Sequence, residues 1–242
     1  MTRLHAFLIH LLCSALVAGL VAALVFWVWY PGVTRELLGV ADIQLVVLGV
    51  DVVLGPLMTL MVFKPGKKYL KLDIGIIVLV QLAALGYGLF VVSEVRPAYL
   101  VFSGHRFDLV SANALDAKSV ELAQEPYRSV SWTGPAWVGA RMPQDPKRRQ
   151  QLTLQAVTGG ADLPACPDTF VPLEAMAAEL KANARPMSEL AAHNEAAALA
   201  QLKQQWPDAD GWFFLRGKTQ SGIVLINRQN ARVLALSTLK AF

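Results

Sequence analysis

Three long apolar runs fill the first hundred residues, and few polar positions interrupt them. They are "AFLIHLLCSALVAGLVAALVFWVWY" at 6–30, "VADIQLVVLGVDVVLGPLMTLMVF" at 40–63 and "LDIGIIVLVQLAALGYGLFVVSEV" at 72–95. A bilayer core of about 30 Å takes about 20 helical residues to cross, so each run is long enough to span it. A cleaved signal sequence has an apolar stretch of about 7–15 residues and a small-residue cleavage site. The first run is longer and closes on Trp27, Trp29 and Tyr30, an interfacial aromatic cluster, which predicts a retained anchor.

The pattern changes at Arg96-Pro97. Proline disfavours helix at the residue before it, so the third span ends here. Beyond it, "AYLVF" and "RFDLVSA" read as strands flanking the turn Ser103-Gly104-His105, and "YRSVSWTGPAWVGARMP" as a further extended pair around Gly134-Pro135. "DLPACPDTF" is too rich in proline for regular structure, and "PKRRQ" reads as a solvated loop. Two helices are predicted, from Leu173 to Asn183 and from Met187 to Trp206, each just after a proline. The closing residues 211–242 alternate as a three-stranded meander. The expected fold is a membrane protein: residues 1–97 form three transmembrane α-helices. Residues 98–242 form an α+β domain of short antiparallel strands and two helices.

Charge sets the topology. Lys64, Lys67, Lys68 and Lys71 crowd the loop 64–71 with no acid, whereas the loop 31–39 carries one base and one acid. The positive-inside rule places the lysine loop in the cytoplasm with the N-terminus, and residues after Arg96 on the far side. In a bacterial cell this is a multi-pass inner-membrane protein with a periplasmic domain. The net charge of +4 is thus explained by topology, and no base-reading aromatic motif occurs, so nucleic acid is not an expected partner. The two cysteines, Cys13 and Cys166, fall in an anchor and in the distal domain. They predict neither a disulfide nor a zinc site, and no cofactor is expected.

Polar groups inside the apolar runs carry the candidate chemistry. Asp51 lies about twelve residues from the lysine-loop end of the second run, and Gln81 about ten from that end of the third. In antiparallel neighbours the two meet near the bilayer centre. A carboxylate there costs on the order of 3 kcal/mol on insertion scales, so it protonates or finds a donor. Gln44, Asp51, Gly55 and Thr59 share one stripe; Gln81, Ala84 or Leu85, and Gly88 share another. Pro56 removes its own N–H and frees the Val52 carbonyl, to which Tyr87 or a visiting helix can donate. Three roles stay open for this group: bracing the hairpin, docking another protein's transmembrane helix, or transport. An intramembrane aspartyl protease is excluded, because Asp42 and Asp73 lie at opposite ends of their spans and cannot face Asp51. In the distal domain His105 and His193 have no neighbouring Ser or Cys motif, and no GxSxG or HExxH occurs, so no enzyme is expected.

The ordered set Asp51, Gly55-Pro56, Lys67-Lys68, Asp73, Gln81, Tyr87-Gly88, Arg96-Pro97 and Arg106-Phe107 resembles the type IV pilin accessory proteins of the TfpX/TfpZ type, over about residues 40–110. The resemblance implies an inner-membrane factor, without catalysis or cofactor, that binds or chaperones the major pilin and modulates pilus assembly. It makes Asp51, Gly55, Pro56, Gln81, Tyr87 and Gly88 candidates for gripping the pilin's transmembrane helix. The distal domain would meet the pilin head, and other inner-membrane assembly components are further expected partners. Arg96, Pro97 and Arg106 are assigned to the junction of membrane and domain. The alternative reading is a membrane-anchored periplasmic sensor or ligand-binding module, which the lack of a cytoplasmic output domain disfavours.

Overall fold

Helix α1 (Arg3–Ala23) opens on a Thr2 cap, whose hydroxyl accepts the His5 N–H at 3.2 Å, and continues as a π-helical segment from Leu24 to Trp29. The short α2 (Thr34–Leu38) follows, then α3 (Val40–Val62) and α4 (Leu70–Glu94). The computed structural model describes residues 2–242, with the backbone alone for 40–48, 50 and 51. The chain forms two compact units: Met1–Trp29 with Gly39–Glu94, and Tyr30–Leu38 with Val95–Phe242. Residues 30–38, placed by sequence with the transmembrane part, therefore belong to the distal unit.

In the first unit α3 packs against both α1 and α4. The helices are apolar all round, so packing picks only one stripe of each: on α4 it runs through Ile77, Gln81, Leu85, Gly88 and Val92. Their other faces expose large apolar side chains, among them Leu12, Leu20, Leu79 and Phe90. Exposed apolar surface on this scale marks an interaction site rather than a water-facing one. Among the described residues two helices, Arg3–Trp29 and Leu70–Glu94, are long and apolar enough to cross a membrane, not the three expected. The remaining run is helical as α3, but its described side chains amount to the shorter apolar stretch Val52–Val62. Pro56 does not break α3, which continues to Val62.

The second unit is an α+β domain on a mixed sheet. Strand β1 (Pro97–Phe102) turns through Ser103–Arg106 into antiparallel β2 (Phe107–Ser111), as the sequence predicts. After α5 (Ala117–Leu122) comes β3 (Ala136–Ala140), then α6 (Pro146–Val157) and β4 (Phe170–Pro172). Next are α7 (Ala177–Asn183), β5 (Arg185–Pro186) and α8 (Ala196–Gln205). The predicted meander closes the chain as β6 (Gly211–Arg216), β7 (Ser221–Asn227) and β8 (Arg232–Ser237). The sheet order is β4-β3-β1-β2-β6-β7-β8, with β5 beside β6.

Several elements differ from expectation. The sheet is not wholly antiparallel: β3 runs parallel to β1, and β6 parallel to β2. Strand β2 returns the chain, so β3 starts at the same end of the sheet as β1, and α5 with the loop after it leads past β1 to its far side. Only β3 forms around Gly134-Pro135. "PKRRQ" opens α6, because Asp145 caps it by accepting the Lys147 and Arg148 N–H groups and Pro146 takes the first turn. The predicted helix from Leu173 starts as a 3-10 turn, Leu173–Met176, and becomes α7 at Ala177. The one from Met187 breaks after a 3-10 segment, Met187–Ala192, because Asn194 donates to the Leu190 and Lys240 carbonyls and accepts from Lys240 N–H.

Phe102, Phe107 and Phe213 form the aromatic centre of the core, with ring centroids 4.9–5.7 Å apart. Leu37 of α2 is buried in that same core. Its carbonyl accepts the Thr219 N–H at 3.0 Å and the Gln220 N–H at 3.4 Å, both from the β6–β7 turn. The turn must be bare here: a Cβ on Gly217 would lie 2.7 Å from the Leu37 carbonyl oxygen, and one on Gly222 3.2 Å from its Cδ2. Leu37→Ala is expected to lower stability by about 2–5 kcal/mol. The exposed Leu122→Ala should change it by no more than about 0.5 kcal/mol. Denaturant titration of the detergent-solubilised chain measures both, and equal effects would show that α2 is not part of the core.

Candidate functional site

The sequence-predicted polar stripe is built where α3 meets its two neighbours. Gly55 and Pro56 are buried. A Cβ on Gly55 would overlap the Gln81 side-chain amide, so the amide of α4 rests directly on the bare backbone of α3. One turn further along α3, Thr59 is 2% exposed, and its Oγ1 lies 2.6 Å from His10 Nδ1 on α1. That distance is one hydrogen bond whichever ring nitrogen carries the proton. Helix α3 thus meets a polar side chain from each neighbour within one turn. Small residues that admit close backbone approach, joined by side-chain hydrogen bonds, are how helices associate where no hydrophobic difference drives them together.

Of the predicted residues, Gly55, Pro56 and Gln81 come together, and Gly88 is half-buried on the Gln81 stripe. The side chains of Asp51 and Gln44 lie outside the described residues, and the expected Asp51–Gln81 pair with them. Tyr87 does not join the group. It is 71% exposed, because two residues beyond Leu85 on a helix is about 200° around the axis. The His10–Thr59 bond escaped sequence reading, although Thr59 was on the stripe. The signal available was a histidine within an apolar run, a costly polar group that needs a partner. Beside the seam, a groove of about 150 Å³ opens between α1 and α4, lined by His10, Cys13, Ser14, Ala18, Gln81 and Leu85.

In the lysine loop, Lys67 pairs with Asp73 at 2.6 Å, and the Lys68 ammonium sits 5.3 Å from the Tyr69 ring centre. Lys64 and Lys71 are exposed. Asp73 lies in the first turn of α4, where a carboxylate suits the helix dipole.

At the other end of α4, Arg96 is buried and Pro97 begins β1. The Arg96 Nε donates to the Ser131 carbonyl at 3.3 Å, and its guanidinium stacks 4.4 Å from the Trp132 ring centre. Arg106 is not at this junction. It lies at the opposite end of β1, past the hairpin turn, about 15–20 Å along the strand. There it serves a different purpose: Asp108, 2% exposed, accepts from Arg106 Nε at 3.1 and 3.3 Å and pairs with Arg216. Both arginines also reach Asp162. Burial pushes the Asp108 carboxyl above the ordinary aspartate range, although Arg216 and Arg106 pull it back down.

A second cluster buttresses the 162–169 segment. Arg148 clasps Asp168 through Nε and Nη2 at 2.8 and 2.9 Å, and the Ser119 hydroxyl donates to the same carboxylate. Cys166 beside it is fully buried, and burial together with the Asp168 charge pushes its thiol up to about 11. His105 and His193 are both exposed. Among the described residues no group of three His, Cys, Asp or Glu side chains gathers to hold a metal.

Fold and seam together define an α+β protein whose apolar helices suit membrane association. The family model described as "Fimbrial assembly protein FimB" matches residues 1–39. Among curated proteins of Dichelobacter nodosus, the chain is 27% identical over 183 residues to "Fimbrial assembly protein, serogroup I", covering 75% of this chain and 71% of that one. It is 26% identical over 183 residues to the serogroup E1 protein. To "Fimbrial assembly protein, serogroups C1 and C2" it is 36% identical over 96 residues, which are 39% of this chain and 73% of that one. No solved structure matches. The chain belongs to the fimbrial assembly protein family, in agreement with the resemblance to type IV pilus accessory proteins.

Two outcomes test the geometry. Gly55→Ala alone should lower the thermal midpoint of the detergent-solubilised protein, and adding Gln81→Ala should recover most of the loss. The expected coupling of about 0.5–3 kcal/mol is what contacting residues show, whereas additive effects would rule the contact out. For Cys166, maleimide labelling at pH 8 should run on the order of 100-fold slower in the folded chain than in urea, measured in a Cys13→Ser background. Equal rates would show that the thiol is accessible.

Proposed function

We propose that this protein is a three-span inner-membrane factor that binds type IV pilin and promotes its assembly into pili without catalysing a reaction. The observation that carries the reading is the match to relatives named for fimbrial assembly, which extends over 75% of the chain. The arrangement in the membrane is supported by the position of Leu37. Residues 30–38 share a compact unit with 95–242, so on this reading both lie on one side of the bilayer, the periplasmic one. The chain leaves that unit after Leu38 and rejoins it at Val95 through α3 and α4 alone. If α4 crosses the membrane, α3 must cross as well.

In this arrangement the lysine loop is cytoplasmic, and the seam of Gly55, Pro56, Thr59, Gln81 and His10 lies within the bilayer. The pilin, held in the same membrane by its apolar N-terminal helix before assembly, would lie alongside that seam, with Asp51 and Gln81 as its polar contacts. The domain on the sheet would face the pilin head. Gln81→Leu and Asp51→Leu, expressed at wild-type level, are expected to reduce co-purification of pilin at least severalfold and to lower the number of surface pili while total pilin is unchanged. Undiminished recovery of pilin with both variants would refute the intramembrane grip. Normal piliation after deletion of the gene would refute the assembly role.

A further inference from the structure

Trp132 is 62% exposed, although it is held in a fixed place, while Trp212 of the same domain is completely buried. The loop that carries it, 127–135, is pinned twice. The Tyr99 hydroxyl of β1 donates to the Ser129 carbonyl at 3.2 Å, and Arg96 donates to the Ser131 carbonyl while stacking under the Trp132 ring. Arg96 follows α4 by two residues, and two residues of extended chain reach at most about 7 Å. If α4 spans the bilayer, that reach ends inside the headgroup layer, which is about 5–7 Å thick on each side of the hydrocarbon. Tyr30 gives the same position independently. It follows the last helical residue of the first apolar run, Trp29, and is fully buried in the same unit as Arg96. The connection from α4 therefore enters the domain at the Arg96 guanidinium, and Trp132 is stacked on it.

We propose that the loop 127–135 is a lipid contact, with Trp132 seated at the boundary between headgroups and acyl chains of the periplasmic leaflet. The chemistry of the loop fits that occupant. An indole prefers the interface, with its apolar body against the acyl chains and its N–H among the headgroups. "YRSVSWTGP" has no acid, one arginine and four hydroxyls, so nothing in it opposes a phosphate-bearing surface. The contact gives the domain a second hold on the membrane, besides the two covalent crossings, and fixes its tilt.

This proposal rests on the reading that α4 crosses the bilayer, and the test separates the two. The full chain and its Trp132→Phe variant are reconstituted into phosphatidylcholine vesicles, with and without bromine on the acyl chains. The difference between their emission spectra is the light from Trp132. That difference is expected to be blue-shifted, quenched at least twofold by the brominated lipid, and little affected by iodide present on both faces. A difference spectrum indifferent to bromine, whether quenched by iodide as for a tryptophan in water or shielded from it as for one held against another protein, overturns the lipid contact. Alkaline carbonate extraction of the same vesicles reports on the spanning reading. Protein that stays in the bilayer while Trp132 reports water refutes the loop contact alone, and protein that is extracted refutes both.

Discussion

The insertion of Leu37 into the core of the sheet domain is the constraint on which the rest depends. A fully buried leucine contributes about 1.5–3 kcal/mol, and the two main-chain hydrogen bonds to its carbonyl add about 0.5–1.5 kcal/mol each. That is enough to make a nine-residue connection between apolar helices an integral part of another unit. Its consequence is topological. The hairpin of α3 and α4 has both ends fixed to one body, so its two helices share one fate with respect to the bilayer. Neither can be reassigned alone.

Among the described residues, the helices bring a set of small and polar residues onto their packed faces. Leucines, valines and phenylalanines cover the outside, whereas Gly55, Thr59, Gln81 and His10 lie where helix meets helix. In water this would be a poorly designed bundle, with its apolar side chains turned outward. In a bilayer it is the expected solution, since lipid is as apolar as leucine and only close approach and hydrogen bonding distinguish one helix face from another. Among the described residues helix α3 is the hub: it offers a missing side chain and a hydroxyl one turn apart, each met by a different neighbour.

The sequence made this seam legible at Gly55 and Gln81, since both the small residue and the amide stand out against an apolar background. It hid the His10–Thr59 bond, because pairing of helices far apart in sequence has no local signature. Tyr87 draws attention by its hydroxyl whichever face it occupies, and it lies off the packed stripe of α4. In the sheet domain the hairpin around Ser103-Gly104 and the closing meander were readable from alternation and turn residues. The parallel joints were not: they pair strands that are not consecutive in the chain, which no local pattern announces. Helix α6 was legible in principle, for Asp145-Pro146 is a strong start signal, but its run of bases obscured it. The break at Asn194 depends on the carbonyl of Lys240, 46 residues away, and no local reading reaches it.

The parallel joint between β2 and β6 explains why the domain is gripped where it is. It consists of two residue pairs, Phe107 with Leu215 and Asp108 with Arg216, so few main-chain hydrogen bonds link the halves of the sheet. Side chains make up the difference: the aromatic cluster on one face, and the Asp108 ion pairs at the strand ends. A buried ion pair contributes little net stability after desolvation, but it fixes register, and register is what a two-pair joint lacks. The two connections from the apolar helices fall on opposite sides of this joint. Leu37 holds the β6–β7 turn, while Arg96 and Pro97 lead directly into β1 beside β2. The chain is thus attached to the sheet domain on both sides of this two-pair joint. The same residues that carry the chain out of the apolar helices anchor it in the domain they deliver.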